Sequence, residues 1–141
     1  MTSPQPERTL TYAAELTRED VRAVETFLNT QLGRVHEEVG ETGETSFAMR
    51  SLFILVSDSA GFLHTLLRLE RPERWQRAAI VREWQRLRST AHPFNHCEGF
   101  DHDRWWKQVR HYDVSDERAE QERILRYAGD AVLDEGRWPT A

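Results

Sequence analysis

The sequence contains a single cysteine and a single lysine among its 141 residues. One thiol, Cys97, excludes a disulfide within the chain. The first twenty residues hold no apolar stretch of the kind found in secretory signals, so we expect a cytoplasmic protein. Because Lys107 stands against 18 arginines, almost all of the positive side-chain charge is on guanidinium groups.

The sequence also lacks an uncharged stretch long enough to span a bilayer. Residues 46–69 are the most apolar region, but their longest uncharged run, residues 51–57, is far shorter than the roughly 20 residues that a membrane helix needs. Apolar side chains lie on every side of a helix drawn through this region, which is typical of a helix surrounded by protein. We therefore expect a central core helix in a soluble domain, and no membrane partner.

Charge is spread unevenly along the chain, whose formal net charge is -5. Residues 46–91 carry eight arginines against four acidic residues, whereas the segments on either side are acidic. Affinity for long duplex DNA comes largely from neutralising phosphates, which an acidic chain does poorly. A local basic patch still suits a short strand, and the sequence places that patch on the third helix.

Length and hydrophobic periodicity predict one all-α domain. A chain of 141 residues can bury one sizeable core and is too short for two. We expect a flexible tail over residues 1–10 and a single bundle of four to six helices over residues 11–141. No run of alternating β-branched residues predicts a sheet.

Capping and helix-breaking residues mark the first three expected helices. Thr17 is placed to cap the clearest amphipathic helix, which Gly40 ends before the central helix begins. A third helix is expected to begin at Pro72. It should stop near Ala91, because the residue before Pro93 is biased away from helical angles.

Two further helices complete the expected bundle. Asp101 or Asp103 is placed to cap a helix that continues through Val109, and Ser115 is placed to cap the last helix. Apolar residues at helical spacing predict the core. The predicted core residues are Val24, Leu28, Leu52, Leu55, Phe62, Leu66, Ile80, Trp84 and Leu125.

The densest group of polar side chains lies in residues 92–102, HPFNHCEGFDH. His92, His96 and His102 are candidate zinc ligands in this stretch, because imidazole nitrogens bind zinc readily. The spacing matches no closed four-ligand structural site, since there is no second cysteine. We therefore expect a polar loop that needs no metal for folding and no cofactor, with a metal site at the three histidines as the alternative.

Residues 84–109, WQRLRSTAHPFNHCEGFDHDRWWKQV, resemble the signature region of the HEPN family of small helical domains. The resemblance begins with Arg86, five intervening residues, His92 and then Phe94. The order of helices before this region is also similar. The continuation of the motif is matched by Phe100, Asp101, Asp103, Trp106 and Val109.

This resemblance implies an all-helical domain that cleaves RNA without metal. His92 would act in proton transfer, and Arg86 would stabilise the charge that develops on the phosphate. Members of the family usually form homodimers, and many act as toxins or defence effectors with a cognate protein partner. The further residues expected to contact RNA are Arg82, Arg88, His96 and Trp105.

Two other functions fit the same residues. A helical interaction module of the antitoxin, immunity or adaptor type would use arginine and tryptophan to dock a protein partner. A metal-dependent bundle enzyme would use His92, His96 and His102. The acidic total charge favours the interaction module, and the basic third helix favours the RNA-directed protein.

Overall fold

The computed structural model describes residues 9–40 and 43–135, with side-chain detail up to residue 129. This part of the chain is helical and contains no strand, which confirms the all-α prediction. Two 3₁₀ turns, Ala13–Glu15 and His92–Phe94, lie among the α-helices. The α-helices are α1 (Arg18–Val39), α2 (Glu44–Leu66), α3 (Arg74–Ala91), α4 (His102–Trp105) and α5 (Val114–Glu135).

Helix α1 begins and ends where the sequence predicts. The Thr17 hydroxyl accepts a hydrogen bond from the Asp20 amide, and the Asp20 carboxylate accepts one from the Thr17 amide. At the other end Gly40 adopts a φ of 81°, a conformation that only glycine reaches without strain. The buried face of α1 packs against both α2 and α3.

Helix α2 differs from the prediction of a helix buried on all sides. One face, which includes Met49, Val56 and Leu63, is buried against α1 and α3. Leu55 on another side is 61% exposed and Ile54 is also 61% exposed. Among the helices that the structure describes, α1 and α3 contact α2, and they cover one side of it.

Helix α2 is also long and apolar enough to cross a membrane when judged by length and composition alone. It is the one helix in the described residues that passes this test, and 28% of its most apolar 18-residue stretch is buried.

Helix α3 carries the predicted boundary at its C-terminal end. It stops at Ala91 and continues as a 3₁₀ turn that contains Pro93. Its N-terminus begins at Arg74, two residues after the predicted position, where the Gln76 side chain accepts a hydrogen bond from the Glu73 amide. Differences of this size are usual at helix ends.

Helix α4 is shorter than predicted. The Asp101 carboxylate accepts hydrogen bonds from the amides of Asp103 and Arg104 and begins the helix, but it ends at Trp105 rather than continuing through Val109. Residues 106–112 instead run back along α3, because Arg88 near the end of α3 bonds to the Trp105 carbonyl oxygen. The prediction of one longer helix was wrong because this return depends on a tertiary contact.

An N-terminal arm, residues 9–16, is packed beside this returning segment. The amides of Ala13 and Ala14 donate hydrogen bonds to the carbonyl oxygens of His111 and Tyr112, at 3.0 and 2.7 Å. Leu10, which falls within the predicted tail, is 1% exposed. The remaining tail residues, 1–8, lie outside the described part of the chain.

Helix α5 begins one residue before the predicted cap. The Asp113 carboxylate, rather than Ser115, accepts a hydrogen bond from an amide in the first turn, that of Asp116. From residue 121 to residue 129 every side chain of α5 is exposed. Leu125, a predicted core residue, is 72% exposed.

Five of the nine predicted core residues are confirmed. Val24, Leu28, Leu66, Ile80 and Trp84 are all at most 4% exposed. The other four predictions were wrong, because the side chains lie on helix faces that no other helix in the described chain covers. They are Leu52 (38% exposed), Leu55, Phe62 (42%) and Leu125.

Candidate functional site

A cleft of about 340 Å³ lies between α3 and the first half of α5. The returning segment forms its floor, since residues 110–112 line it between the two helices. Helix α3 therefore meets a part of the chain about thirty residues further on, the returning segment with the start of α5, in one concave surface. The charged residues that line it are Arg74, Arg77, Arg82, Arg110, His111, Asp116, Glu120 and Arg123.

One ion pair fixes the width of this cleft. The Arg77 guanidinium donates two parallel hydrogen bonds to the Asp116 carboxylate, at 2.8 and 3.0 Å, and a third to the Pro72 carbonyl oxygen. Hydrogen bonding to Asp116 raises the pKa of Arg77 above its usual value. A bidentate pair of this kind is directional, so it sets the angle at which α5 leaves the bundle.

A second contact between the floor and α5 lies nearby. The His111 imidazole Nε2 is in hydrogen-bond contact with the Glu120 carboxylate. Next to it, burial raises the pKa of the Tyr112 hydroxyl, so that group stays neutral. These contacts occupy both carboxylates that line the cleft.

The remaining guanidinium groups keep most of their hydrogen-bond donors available. In the described residues no carboxylate forms an ion pair with Arg74, Arg110 or Arg123. In the same part of the chain, Arg82 reaches one carboxylate oxygen, that of Glu83, at 3.5 Å. Unpaired guanidinium groups in a concave surface are suited to phosphate, whose oxygens accept their forked N–H donors.

The charged surface continues beyond the cleft at both ends. A depression along α5 adds Arg126 and Glu122 to the arginines that it shares with the cleft. Another shares Arg110 with the cleft and adds Lys107 and Glu117. The cleft is therefore the centre of a longer track of charged side chains, and the excess positive charge of that track lies in the cleft itself.

An aromatic shelf lies beside Lys107, at the end of the returning segment. The Trp106 indole is 52% exposed and has the His92 imidazole at a ring-centroid distance of 4.8 Å and the His102 imidazole at 5.8 Å. The backbone of Trp106 is held in place by Arg88, whose guanidinium donates a 2.7 Å hydrogen bond to the Trp106 carbonyl oxygen. A base could stack on such a fixed, exposed indole.

The structure does not bring Arg86 and His92 together within one subunit. Arg86 donates a 3.1 Å hydrogen bond to Glu83 and lines a groove between α2 and α3. His92 instead packs against Phe100 and Trp106 on another side of α3. The two residues that the HEPN resemblance pairs therefore contact different neighbours.

The other predicted RNA contacts are divided between surface and core. Arg82 lines the cleft, and His96 is exposed in the turn after α3. Arg88 is 5% exposed and bonds to backbone carbonyls, and burial lowers the pKa of its guanidinium. Trp105 is 3% exposed and packs on Phe27 at 5.2 Å, so its ring belongs to the core.

The candidate metal ligands form no cluster. In residues 9–40 and 43–129, no three side chains of His, Cys, Asp or Glu lie close enough to hold a metal ion. His92 and His102 both lie beside Trp106, but His96 has no ring contact with either of them.

Several residues of the charged track escape prediction from the sequence. Arg110 and Arg123 belong to the acidic last third of the chain, where their charge is outnumbered. Trp106 is adjacent to Trp105, and the pattern does not tell which indole is exposed. The sequence does contain one signal of the cleft, the spacing of three residues between Arg74 and Arg77, which puts both side chains on one side of α3.

No family model, curated protein or solved structure matches this chain.

Proposed function

We propose that this protein is a cytoplasmic, HEPN-like helical protein that binds single-stranded RNA, with phosphates held in the α3–α5 cleft. The observation that supports this proposal is a set of guanidinium groups that have no ion-pair partner among the described side chains, around a floor fixed by hydrogen bonds. They are Arg74, Arg110 and Arg123. Arginine binds phosphate in a bidentate manner, so several such groups along a track favour a polymer with regularly spaced phosphates.

A single strand fits this surface better than a duplex. The chain is acidic overall, so it lacks the broad positive field that binding along a duplex requires. The charged track is narrow and ends at Trp106, an exposed indole on which an unpaired base can stack. In a duplex the bases are already stacked on one another, and this indole would have no role.

Binding is tested by fluorescence anisotropy with a short labelled oligouridine. Replacing Arg110 and Arg123 together with alanine should weaken binding. It should also reduce the slope of log affinity against log salt by about 1.4, since each phosphate contact on a single strand contributes about 0.7. The matched control replaces the exposed Arg22 and Arg68, which removes the same charge outside the cleft. Equal weakening by both pairs would contradict the proposal.

Cleavage of RNA is tested separately from binding. Because Arg86 and His92 contact different neighbours within one subunit, cleavage by this pair would need a second subunit. Incubation with RNA in a chelator measures it directly. Products that disappear in both Arg86→Ala and His92→Ala would establish a metal-independent ribonuclease, whereas intact RNA in a stable complex would establish a binding protein.

A different observation, the exposed apolar side of α2, favours the interaction-module hypothesis as a second function. Leu55 and Ile54 each expose 61% of their surface there. Large apolar side chains that stay in water without a partner are a feature of protein interfaces. The two functions are compatible, since the cleft and this side of α2 lie on different sides of α3.

A further inference from the structure

The positive charge of the α3–α5 cleft is concentrated at one place along the charged track. Five arginines and two carboxylates line the cleft, which gives its side chains a formal excess of three positive charges. The depressions at its two ends each add one basic and one acidic side chain. They are Lys107 with Glu117 on one side and Arg126 with Glu122 on the other. A ligand that complements this distribution carries its own charge at one point.

Three guanidinium groups reach this cleft from three different parts of the chain. Arg74 belongs to α3, Arg110 to the returning segment and Arg123 to α5. All three are exposed, and none has an ion-pair partner among the described side chains. The two carboxylates that line the cleft contact Arg77 and His111 instead. One anion placed between these walls would therefore receive hydrogen bonds from more than one direction.

A phosphate at the end of an RNA strand differs from a phosphate within it. A terminal phosphate monoester carries between about 1.5 and 2 negative charges at pH 7 and offers three strong acceptor oxygens. An internal phosphodiester carries one charge and has two unesterified oxygens. Guanidinium donors that arrive from three walls therefore each have an acceptor oxygen when the phosphate is terminal, and one wall lacks an acceptor when the phosphate is internal.

We infer that the cleft binds the terminal phosphate of an RNA strand, and that the strand leaves the cleft along the returning segment towards Trp106. This inference rests on the proposed function and names the part of the RNA that the cleft recognises. Lys107 lies along this path, and the Trp106 indole beside it is 52% exposed. A base near the end of the strand then stacks on this indole.

The walls of the cleft are held in position without a ligand. The Arg77 and Asp116 pair joins α3 to α5, and the amides of Ala13 and Ala14 hold the returning segment through its carbonyl oxygens. A site whose backbone is already ordered loses less conformational entropy on binding. The cleft volume of about 340 Å³ is at the small end of the roughly 300–1,000 Å³ of ligand sites, so the cleft accommodates an end group rather than several nucleotides.

The inference is tested by fluorescence anisotropy with oligouridines that carry the same internal label and differ only at one end. One strand ends in hydroxyl groups, a second has a 5′-phosphate and a third has a 3′-phosphate. A phosphorylated strand should bind about tenfold tighter than the hydroxyl-ended strand, which is the effect of one additional hydrogen bond from a charged donor. A strand whose terminal phosphate is methylated should lose most of this gain, because the methyl ester removes one charge and one acceptor oxygen.

Two substitutions test whether the terminal phosphate lies in the cleft. Arg123→Gln removes a guanidinium from the cleft and should lower the ratio between the affinities for phosphorylated and hydroxyl-ended RNA. The matched control is Lys107→Gln, which removes one positive charge from an exposed position outside the cleft. It should weaken the binding of both strands equally and leave the ratio unchanged. Circular dichroism must show the helix content of wild type in both variants.

Equal binding of phosphorylated and hydroxyl-ended strands by wild type would overturn the inference and leave the proposed function standing. An equal fall of the affinity ratio in Arg123→Gln and Lys107→Gln would place the terminal phosphate outside the cleft and overturn the inference as well. Competition by uridine 5′-monophosphate as strong as that by the phosphorylated strand would overturn it by assigning the cleft to a free nucleotide. Failure of every strand to bind would overturn the proposed function itself, and this inference with it.

Discussion

The exposed apolar side of α2 and the α3–α5 cleft are surfaces of opposite chemistry on different sides of α3. The α2 side comes from one helix, and its exposed apolar side chains include Leu52, Leu55 and Phe62. The cleft is basic and combines α3, the returning segment and α5, from Arg74 to Arg123. Covering the α2 side removes apolar surface from water, which any well-shaped apolar partner can do. Our proposal for the cleft instead requires an anion at defined positions.

The largest expected effect distinguishes a leucine buried within the chain from one that the structure exposes. Leu66→Ala removes a side chain that is 4% exposed and should cost about 2–5 kcal/mol of unfolding free energy. Leu125→Ala, on the exposed part of α5, should change it by less than about 0.5 kcal/mol. Urea denaturation followed by circular dichroism measures both. A loss of several kcal/mol in Leu125→Ala would show that α5 is packed against the bundle.

An intermediate effect separates two arginines that the sequence assigns to the same role. Arg88→Met removes hydrogen bonds to the Trp105 and Trp106 carbonyl oxygens and should cost about 2–4 kcal/mol, since bonds from a charged donor contribute about 1.5–3 kcal/mol each. Arg82→Met, at an exposed position in the cleft, should leave stability within about 0.5 kcal/mol and weaken RNA binding. Denaturation and anisotropy on both variants measure the contrast. The opposite pattern would move the functional surface to Arg88.

The smallest expected effect concerns His64, at the margin of the covered face of α2. Burial lowers the pKa of its imidazole below 6.5, and its Nδ1 has no hydrogen-bond partner in the described chain. Both folded and unfolded forms are neutral well above pH 6.5. As the pH falls through that value the unfolded form takes up the proton first, so stability is lost. Nearby Glu25 opposes the shift and Arg22 favours it.

A melting-temperature series across pH 6.5 tests this difference. His64→Gln should lose less stability on acidification than wild type, because its side chain does not titrate. His96→Gln is the matched control, because it makes the same substitution at an exposed position. Equal behaviour of the two variants would show that His64 does not experience this burial.

Local signals explain why parts of the fold could be predicted. The Thr17 and Asp20 pair and Gly40 define α1 through contacts within a few residues, and Pro93 sets the end of α3. These boundaries need no knowledge of the rest of the molecule. Leu55 shows what hydrophobic periodicity cannot predict. It belongs to an apolar stripe on α2 but is 61% exposed, because the stripe does not tell which face of the helix the rest of the chain covers.

The candidate site depends on tertiary contacts, which the hydrophobic periodicity of the sequence does not reveal. Arg110 reaches the cleft only because residues 106–112 turn back along α3, and this return is set by Arg88 and the carbonyl oxygens that it binds. Trp105 and Trp106 are neighbours of the same type at the end of α4. Their spacing in the sequence does not distinguish them, and only the structure shows that Trp105 packs on Phe27 while Trp106 is exposed.

The two hydrogen bonds between the N-terminal arm and the returning segment also bear on the order of assembly during synthesis. The amides of Ala13 and Ala14 leave the ribosome about a hundred residues ahead of their acceptors, the carbonyl oxygens of His111 and Tyr112. Translation at roughly 5–20 residues per second makes this an interval of several seconds. Helices α1, α2 and α3 can pack during that time, since their contacts are with one another. The floor of the cleft and its α5 wall therefore form after α1, α2 and α3, and a nascent chain stalled before residue 111 would have these three helices without the surface that we propose binds RNA.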